Sequence, residues 1–132
     1  MPEISGVSHI DLTVADLDRS LAFYTDVLGF NEVVREDGDD HAMVVMSHQG
    51  LVNMVCLNRH GSGGQPRFDE MRIGLDHLSF LVPSRAALEE WERHLDERGV
   101  TYTPIAEAPY GSVLVFRDPD NIQLELLSNP GT

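Results

Sequence analysis

Apolar and polar residues alternate along residues 6–15, and this alternation predicts a β-strand. Asp16 then offers an N-cap, and residues 17–28 carry apolar side chains at helical spacing up to Gly29, a residue type that commonly ends helices. A turn is predicted at residues 37–39. One further strand is predicted before this turn, at residues 30–35, and two are predicted after it, at residues 42–46 and 51–58. The predicted order of elements is therefore βαβββ.

The same order is predicted a second time after a polar, glycine-rich stretch. We take residues 59–73 as a linker, which gives a first module at residues 1–58 and a second module at residues 74–132. Ser84 offers a cap for a helix predicted at residues 85–98. The strands predicted around this helix lie at residues 75–82, 101–105, 112–117 and 122–127.

Two short motifs recur at matching places in the two modules. Ser8-His9-Ile10 corresponds to Asp76-His77-Leu78, an offset of 68 residues between the histidines. Leu28-Gly29-Phe30 corresponds to Arg98-Gly99-Val100, an offset of 70 residues between the glycines. A repeat of this length indicates duplication of one supersecondary unit. The predicted fold class is therefore α+β, with two tandem βαβββ modules.

Polar side chains share one face of three predicted strands, because side chains alternate along a strand. These polar faces carry His9, Asp11, His77, Ser79, Gln123 and Glu125. Two imidazoles and a carboxylate would be costly on an inward surface if they had no partner, and both are good ligands for divalent metals. We therefore predict that His9, His77 and Glu125 bind one divalent ion (Zn, Fe, Mn or Ni) and leave coordination positions open. The alternative is that each histidine is only a half-buried polar residue.

Composition excludes several other kinds of function. The chain has 22 acidic and 9 basic residues and a net charge of −13, which argues against nucleic-acid binding. All the basic residues are arginines, so lysine-based Schiff-base chemistry is excluded. Cys56 is the only cysteine, so the chain forms no intramolecular disulfide. Neither a signal peptide nor an apolar run of about 18 residues is present, and we expect a cytoplasmic protein without membrane contact.

The chain resembles the vicinal-oxygen-chelate superfamily, which includes glyoxalases, bleomycin-resistance proteins, fosfomycin thiol transferases and extradiol dioxygenases. The resemblance covers nearly the whole length and is carried by the segments 8–14, 20–30, 75–80 and 116–126. It implies that the two modules form a cupped, barrel-like mixed sheet with the helices outside, the glyoxalase-like fold. It also implies that His9, His77 and Glu125 are the metal ligands, that a small oxygen-bearing molecule is the ligand or substrate, and that the protein is a homodimer.

The predicted fourth strand departs from the pattern of one family branch. Glyoxalase I enzymes take a further glutamate or glutamine ligand from this strand, whereas residues 51–59 contain no acidic residue. A site with three protein ligands is more similar to the fosfomycin thiol transferases and the extradiol dioxygenases. The predicted function is therefore a glyoxalase-like, metal-dependent enzyme: a lyase, isomerase, transferase or dioxygenase. The alternative is a non-catalytic protein that sequesters a small molecule or antibiotic, as bleomycin-resistance proteins do.

Further residues are candidates for roles around the metal. Asp11 is predicted to act as a general base or as a hydrogen-bond partner of an imidazole. Tyr110 is a candidate catalytic residue at the mouth of the pocket, with a plain turn as the alternative. Candidates for substrate contact are Met54, Cys56, Asn58, Ser79 and Gln123. For Met54 and Cys56 a place in the core is the alternative. His41, His48, His60 and His94 are predicted in loops or on a helix surface and have no assigned role.

Overall fold

The computed structural model describes residues 1–63 and 66–132. It divides into two compact units, Met1–Pro66 and Arg67–Thr132, here called unit 1 and unit 2. Each unit contains one helix and one four-stranded sheet. The boundary between the units falls inside the stretch predicted as a linker. The predicted module limits of 1–58, 59–73 and 74–132 stay a prediction.

Unit 1 has the element order that the sequence predicts. Its helix, α1, spans Leu17–Asp26. Its strands are β1 at His9–Thr13, β2 at Asn31–Glu36, β3 at His41–Ser47 and β4 at Met54–His60.

Unit 2 repeats this order. Its helix, α2, spans Arg85–Glu97. Its strands are β5 at Leu78–Val82, β6 at Tyr102–Ala108, β7 at Gly111–Arg117 and β8 at Gln123–Ser128.

The two sheets have the same topology. The strand order is β1-β4-β3-β2 in unit 1 and β5-β8-β7-β6 in unit 2. In each sheet the first strand of the unit runs parallel to the last, and the remaining pairs are antiparallel. The α+β class and the repeated βαβββ order are therefore confirmed. This topology sets the candidate residues of the first strand beside those of the last.

The helix caps predicted from the sequence are present. The Asp16 side chain accepts a hydrogen bond from the Arg19 amide in unit 1, and the Ser84 hydroxyl accepts one from the Ala87 amide in unit 2. Each cap satisfies one of the amides that a helix start leaves without an internal partner. Gly29 follows α1 with a φ of +76°, a left-handed conformation that glycine adopts without steric cost.

The predicted apolar faces form the core of each unit. In unit 1 the side chains of Leu12, Val14, Val55 and Leu57 are buried together with Tyr24 of α1. In unit 2 the corresponding core is made of Val82, Leu114, Leu124 and Leu126, together with Leu88 and Leu95 of α2. His9, Asp11 and Ser79 lie on the opposite face of their strands, as the alternation predicts, and there they are exposed and not enclosed in a cavity of their own unit.

Several predicted strand limits are wrong. β4 begins at Met54 rather than at residue 51, because the Leu51 amide donates to the His48 carbonyl in a turn. β4 also continues to His60, where it pairs with His41 at the start of β3. Two of the four histidines predicted in loops or on a helix surface therefore lie in strands. β6 extends to Ala108, three residues beyond its predicted end, because pairing with β7 resumes after a bulge. No helix among the described residues is long and apolar enough to cross a membrane.

Candidate functional site

In unit 2 the topology brings His77 close to Glu125. His77 immediately precedes β5, and Glu125 lies in β8 opposite Ser79 of β5. The distance from His77 Nε2 to Glu125 Oε1 is 3.8 Å. Two donor atoms bound to the same zinc ion lie roughly 3.4 Å apart, so this separation suits two ligands of one metal. The structure therefore brings together two of the three predicted metal ligands.

Neighbouring side chains hold both of these residues. His77 Nδ1 lies 2.6 Å from Asp76 Oδ1, and the Ser79 hydroxyl donates to Glu125 Oε1 at 2.7 Å. The Glu125 side chain is only 13% exposed, whereas that of His77 is 40% exposed. Histidine ligands of metals commonly donate their second ring nitrogen to a carboxylate, and the Asp76 contact has that form.

In unit 1, His9 has different partners. Its Nε2 lies 3.0 Å from Asp11 Oδ2, and its Nδ1 lies 2.9 Å from the Ser8 hydroxyl. Both ring nitrogens therefore have a protein partner within unit 1. Asp11 contacts the imidazole directly, which is one of the two roles predicted for it.

Asp11 belongs to a chain of hydrogen bonds that runs across the sheet of unit 1. The Asn58 amide nitrogen donates to Asp11 Oδ1 at 2.7 Å. Because a carboxylate only accepts, this contact fixes the orientation of the amide, and Asn58 Oδ1 then accepts from His41 Nε2 at 2.9 Å. The His41 ring stacks on His60 with the centroids 4.9 Å apart. Asn58 is buried and both ends of its amide are used inside unit 1.

His41 and His60 were not assigned a role from the sequence, although a signal for them was present. His41 shares the strand face of Met43 and Val45, and His60 shares that of Asn58. Continuing the alternation of both strands by one or two residues would have placed the two histidines side by side. Because both histidines were predicted to lie outside the strands, their contact was not predicted.

Cys56 occupies in unit 1 the register position that Glu125 occupies in unit 2. Cys56 lies opposite Asp11, as Glu125 lies opposite Ser79. The thiol is buried, and burial, followed by the charge of Asp11, raises the pKa of Cys56 above its usual value. The sequence showed that β4 has no acidic residue. The structure adds that a thiol occupies the position in β4 that is equivalent to Glu125 in β8.

The remaining candidates lie in different surroundings. Met54 is partly exposed and pairs in register with His9. The Gln123 amide nitrogen faces the Asp76 backbone carbonyl at 3.3 Å and Asp76 Oδ1 at 3.2 Å. Tyr110 lies in the tight turn between β6 and β7 and is 61% exposed. The roles predicted for these three residues stay predictions.

Arg117 and Glu70 form an ion pair that the sequence did not predict. The two terminal nitrogens of Arg117 donate to the two carboxylate oxygens of Glu70, each at 2.8 Å. This paired geometry is the strongest form of a carboxylate–guanidinium contact. The hydrogen bonds from Arg117 lower the pKa of Glu70 to about 2. Glu70 lies in the predicted linker, a stretch in which the sequence carries no periodic signal.

The donor set of unit 2 fits a divalent metal only in part. In the described parts of the chain, residues 1–63 and 66–132, no three His, Cys, Asp or Glu side chains are grouped so that they could hold a metal ion. Unit 2 supplies two donors of the right chemistry, an imidazole nitrogen and a shielded carboxylate. Further ligands would come from another residue or from solvent.

Two open depressions lie elsewhere on unit 2. One, of about 480 Å³, is lined by residues that follow α2, among them Gly99, Tyr102 and Pro104. The other, of about 370 Å³, lies against α2 beside Trp91 and His94. Neither is lined by a residue predicted to bind metal or substrate.

Comparison with known proteins assigns the chain to a family. Residues 6–126 match the model of the Glyoxalase/Bleomycin resistance protein/Dioxygenase superfamily, so the chain belongs to this superfamily. A crystal structure of a domain of this kind from Frankia sp. EAN1pec is 44% identical, with a TM-score of 0.88; the match covers 96% of this chain and 99% of that one. The glyoxalase-like fold predicted from the sequence is confirmed.

Relatives with named activities are more distant. The putative ring-cleaving dioxygenase MhqA of Bacillus subtilis is 29% identical over 131 residues, which are 96% of this chain. This chain spans only 40% of the length of MhqA. The metallothiol transferase FosB of Staphylococcus saprophyticus is 28% identical over 128 residues, with 93% of this chain and 76% of FosB covered. These relatives have different activities, so they support the superfamily and not one reaction.

Proposed function

We propose that this protein is a metal-dependent enzyme that acts on a small molecule with neighbouring oxygen atoms. The observation that carries the proposal is the distance of 3.8 Å between His77 Nε2 and Glu125 Oε1. The His77 nitrogen comes from the residue just before β5 and the Glu125 oxygen from β8, and the two atoms face each other. The sequence relationship to a metallothiol transferase is consistent with this proposal.

His77 and Glu125 are the proposed ligands in unit 2, and His9 is retained as the third ligand predicted from the sequence. A bound divalent ion would act as a Lewis acid and stabilise negative charge on the substrate oxygens. Ser79 orients Glu125 through its hydrogen bond of 2.7 Å. Asp76 orients His77 through the ring nitrogen that faces away from Glu125. These contacts fix the two donors before a ligand arrives, which reduces the cost of binding.

The reaction is proposed only at the level of the superfamily. Ring cleavage by a dioxygenase and transfer of a thiol are two activities suggested by the names of relatives. The glyoxalase I reaction is the least supported, because Cys56 stands in β4 where a carboxylate ligand is expected. The homodimer implied by the family resemblance is retained as a proposal and can be tested by light scattering.

Metal binding by single variants tests the ligand set. We expect wild-type protein to bind one Zn(II), Mn(II), Fe(II) or Ni(II) ion per chain in calorimetry. His77→Asn, Glu125→Gln and His9→Asn should each weaken binding at least about tenfold. His94→Asn is the control, because it removes an imidazole from α2, where His94 meets Trp91 in an edge-to-face contact.

The outcomes separate the enzyme from its alternative. Full metal binding in all three ligand variants would overturn the proposed site. Turnover of a catechol, or transfer of a thiol to fosfomycin, would support the enzyme if it is lost in the chelated protein. Ligand binding that survives chelation, without turnover, would instead support a protein that sequesters small molecules.

A further inference from the structure

A continuous chain of polar contacts leads from the loop before β5 to the imidazole of His77. It begins at Glu70 in this loop, whose two carboxylate oxygens accept hydrogen bonds from the guanidinium of Arg117, the last residue of β7. The same guanidinium donates to the Asn121 carbonyl at 3.2 Å and to Gln123 Oε1 at 2.9 Å. Because a guanidinium has no acceptor, the atom of Gln123 that faces it is the amide oxygen.

The orientation of Gln123 determines the next contact. With its oxygen on Arg117, its amide nitrogen points to Asp76 Oδ1 at 3.2 Å and to the Asp76 carbonyl at 3.3 Å. Asp76 Oδ1 in turn lies 2.6 Å from His77 Nδ1. An ionised carboxylate only accepts hydrogen bonds, so the proton of the neutral imidazole is on Nδ1. The lone pair is then on Nε2, the nitrogen that faces Glu125.

We infer that Arg117, Gln123 and Asp76 form a positioning relay that keeps His77 in the tautomer whose Nε2 is free to bind a metal. This inference rests on the proposed function, because it concerns the orientation of one of the proposed ligands. In this role Arg117, Gln123 and Asp76 act through His77, by the hydrogen bonds that lead to its Nδ1.

The equivalent positions in unit 1 lack this arrangement. The register places Met54 where unit 2 has Gln123, and a thioether donates no hydrogen bond. Ser8 stands in place of Asp76 beside His9 Nδ1, while a carboxylate, Asp11, faces Nε2. The relay is therefore a property of the second copy of the repeat, and it distinguishes His77 from His9.

Two variants test the relay. Gln123→Leu removes both polar contacts of the amide at nearly constant size, and Arg117→Lys keeps the positive charge but loses the paired contact with Glu70 and Gln123. Gln49→Leu, at an exposed position of unit 1, is the matched control. Nitrogen-15 chemical shifts of His77 in the metal-free protein report the tautomer, and competition with a chelator reports the metal dissociation constant.

In wild-type protein we expect the Nδ1–H tautomer of His77 to predominate. In both relay variants its fraction should fall, and the metal dissociation constant should rise about tenfold. The control should match wild type in both measurements. Unchanged tautomer and unchanged affinity in a folded relay variant would overturn the relay and leave the proposed function standing. If wild-type protein bound no metal, the proposed function would fail, while the tautomer measurement would still decide for or against the relay.

Discussion

His9 and His77 occupy equivalent places in the repeat but meet different partners. Asp76 binds His77 at Nδ1, on the side away from Glu125, whereas Asp11 binds His9 at Nε2. A metal at His77 Nε2 would leave the carboxylate contact intact. A metal at His9 Nε2 would have to replace the contact with Asp11. The identity of the residue is therefore insufficient to define a ligand; the partner on the other ring nitrogen decides which atom is available.

Glu70 is expected to make the stability of unit 2 depend on pH in the acid range. Its pKa is lowered to about 2 by Arg117, below the ordinary value near 4.3. A carboxylate whose folded pKa is depressed stabilises the fold above its unfolded pKa, and this contribution is lost as the pH falls towards the folded pKa. We expect the difference in unfolding free energy between wild type and Glu70→Gln to be constant above about pH 5 and to shrink between pH 4.5 and 2.

Denaturant unfolding at a series of pH values measures this difference. Glu90→Gln, at an exposed position of α2, controls for the loss of one negative charge from an acidic chain. A difference for Glu70→Gln that does not change with pH would contradict the role of the Arg117 pair.

Strand alternation was sufficient to predict the faces of β1, β5 and β8, and with them the side chains of the candidate site. It predicts the face because neighbouring residues on a strand point to opposite sides. It could not predict the relay, because Arg117 and Glu70 are separated by 47 residues and meet only after the chain folds. The position of His41 was missed for a different reason: the Asp-rich segment before it reads as a turn, although pairing with His60 extends both strands.

Gly111, the first residue of β7, is required by the close approach of a neighbouring strand. Its φ is +142°, and a β-carbon there would lie against the Ser128 carbonyl oxygen, well inside van der Waals contact. We expect Gly111→Ala to destabilise unit 2 by more than the roughly 1–3 kcal/mol that an unfavourable backbone conformation costs alone. The clash involves main chain of β8, which cannot move without disturbing its pairing with β7.

Gly74→Ala is the matched control for this substitution. Gly74 also lies in unit 2 and has a φ of +150°, but an added β-carbon would meet no atom within 4 Å. Urea unfolding of both variants separates backbone strain from steric overlap. Equal losses of stability in the two variants would show that the approach of Ser128 is unimportant.

At the scale of the whole molecule, the excess of acidic residues affects every measurement with metal ions. A net charge of −13 destabilises the compact state through repulsion and attracts cations without specificity. Screening by salt reduces the repulsion, since the Debye length falls to about 10 Å at 0.1 M. Divalent ions would therefore stabilise this protein even if it had no metal site. Stabilisation by a metal supports the proposed site only where it exceeds that of an ion with little affinity for imidazole.

We therefore expect two separable effects on the melting temperature of this chain. Sodium chloride raised from about 0.02 to 0.2 M should increase it by a few degrees in wild type and in Glu125→Gln alike, because screening acts on the whole charge. At matched ionic strength, Zn(II), Mn(II) or Ni(II) at about 100 times its dissociation constant should add roughly 5–10 °C in wild type and little in Glu125→Gln. Mg(II), which prefers oxygen ligands, is the control ion. If Mg(II) stabilised wild type as much as the transition metals do, the ions would be acting as counterions and not as ligands of His77 and Glu125.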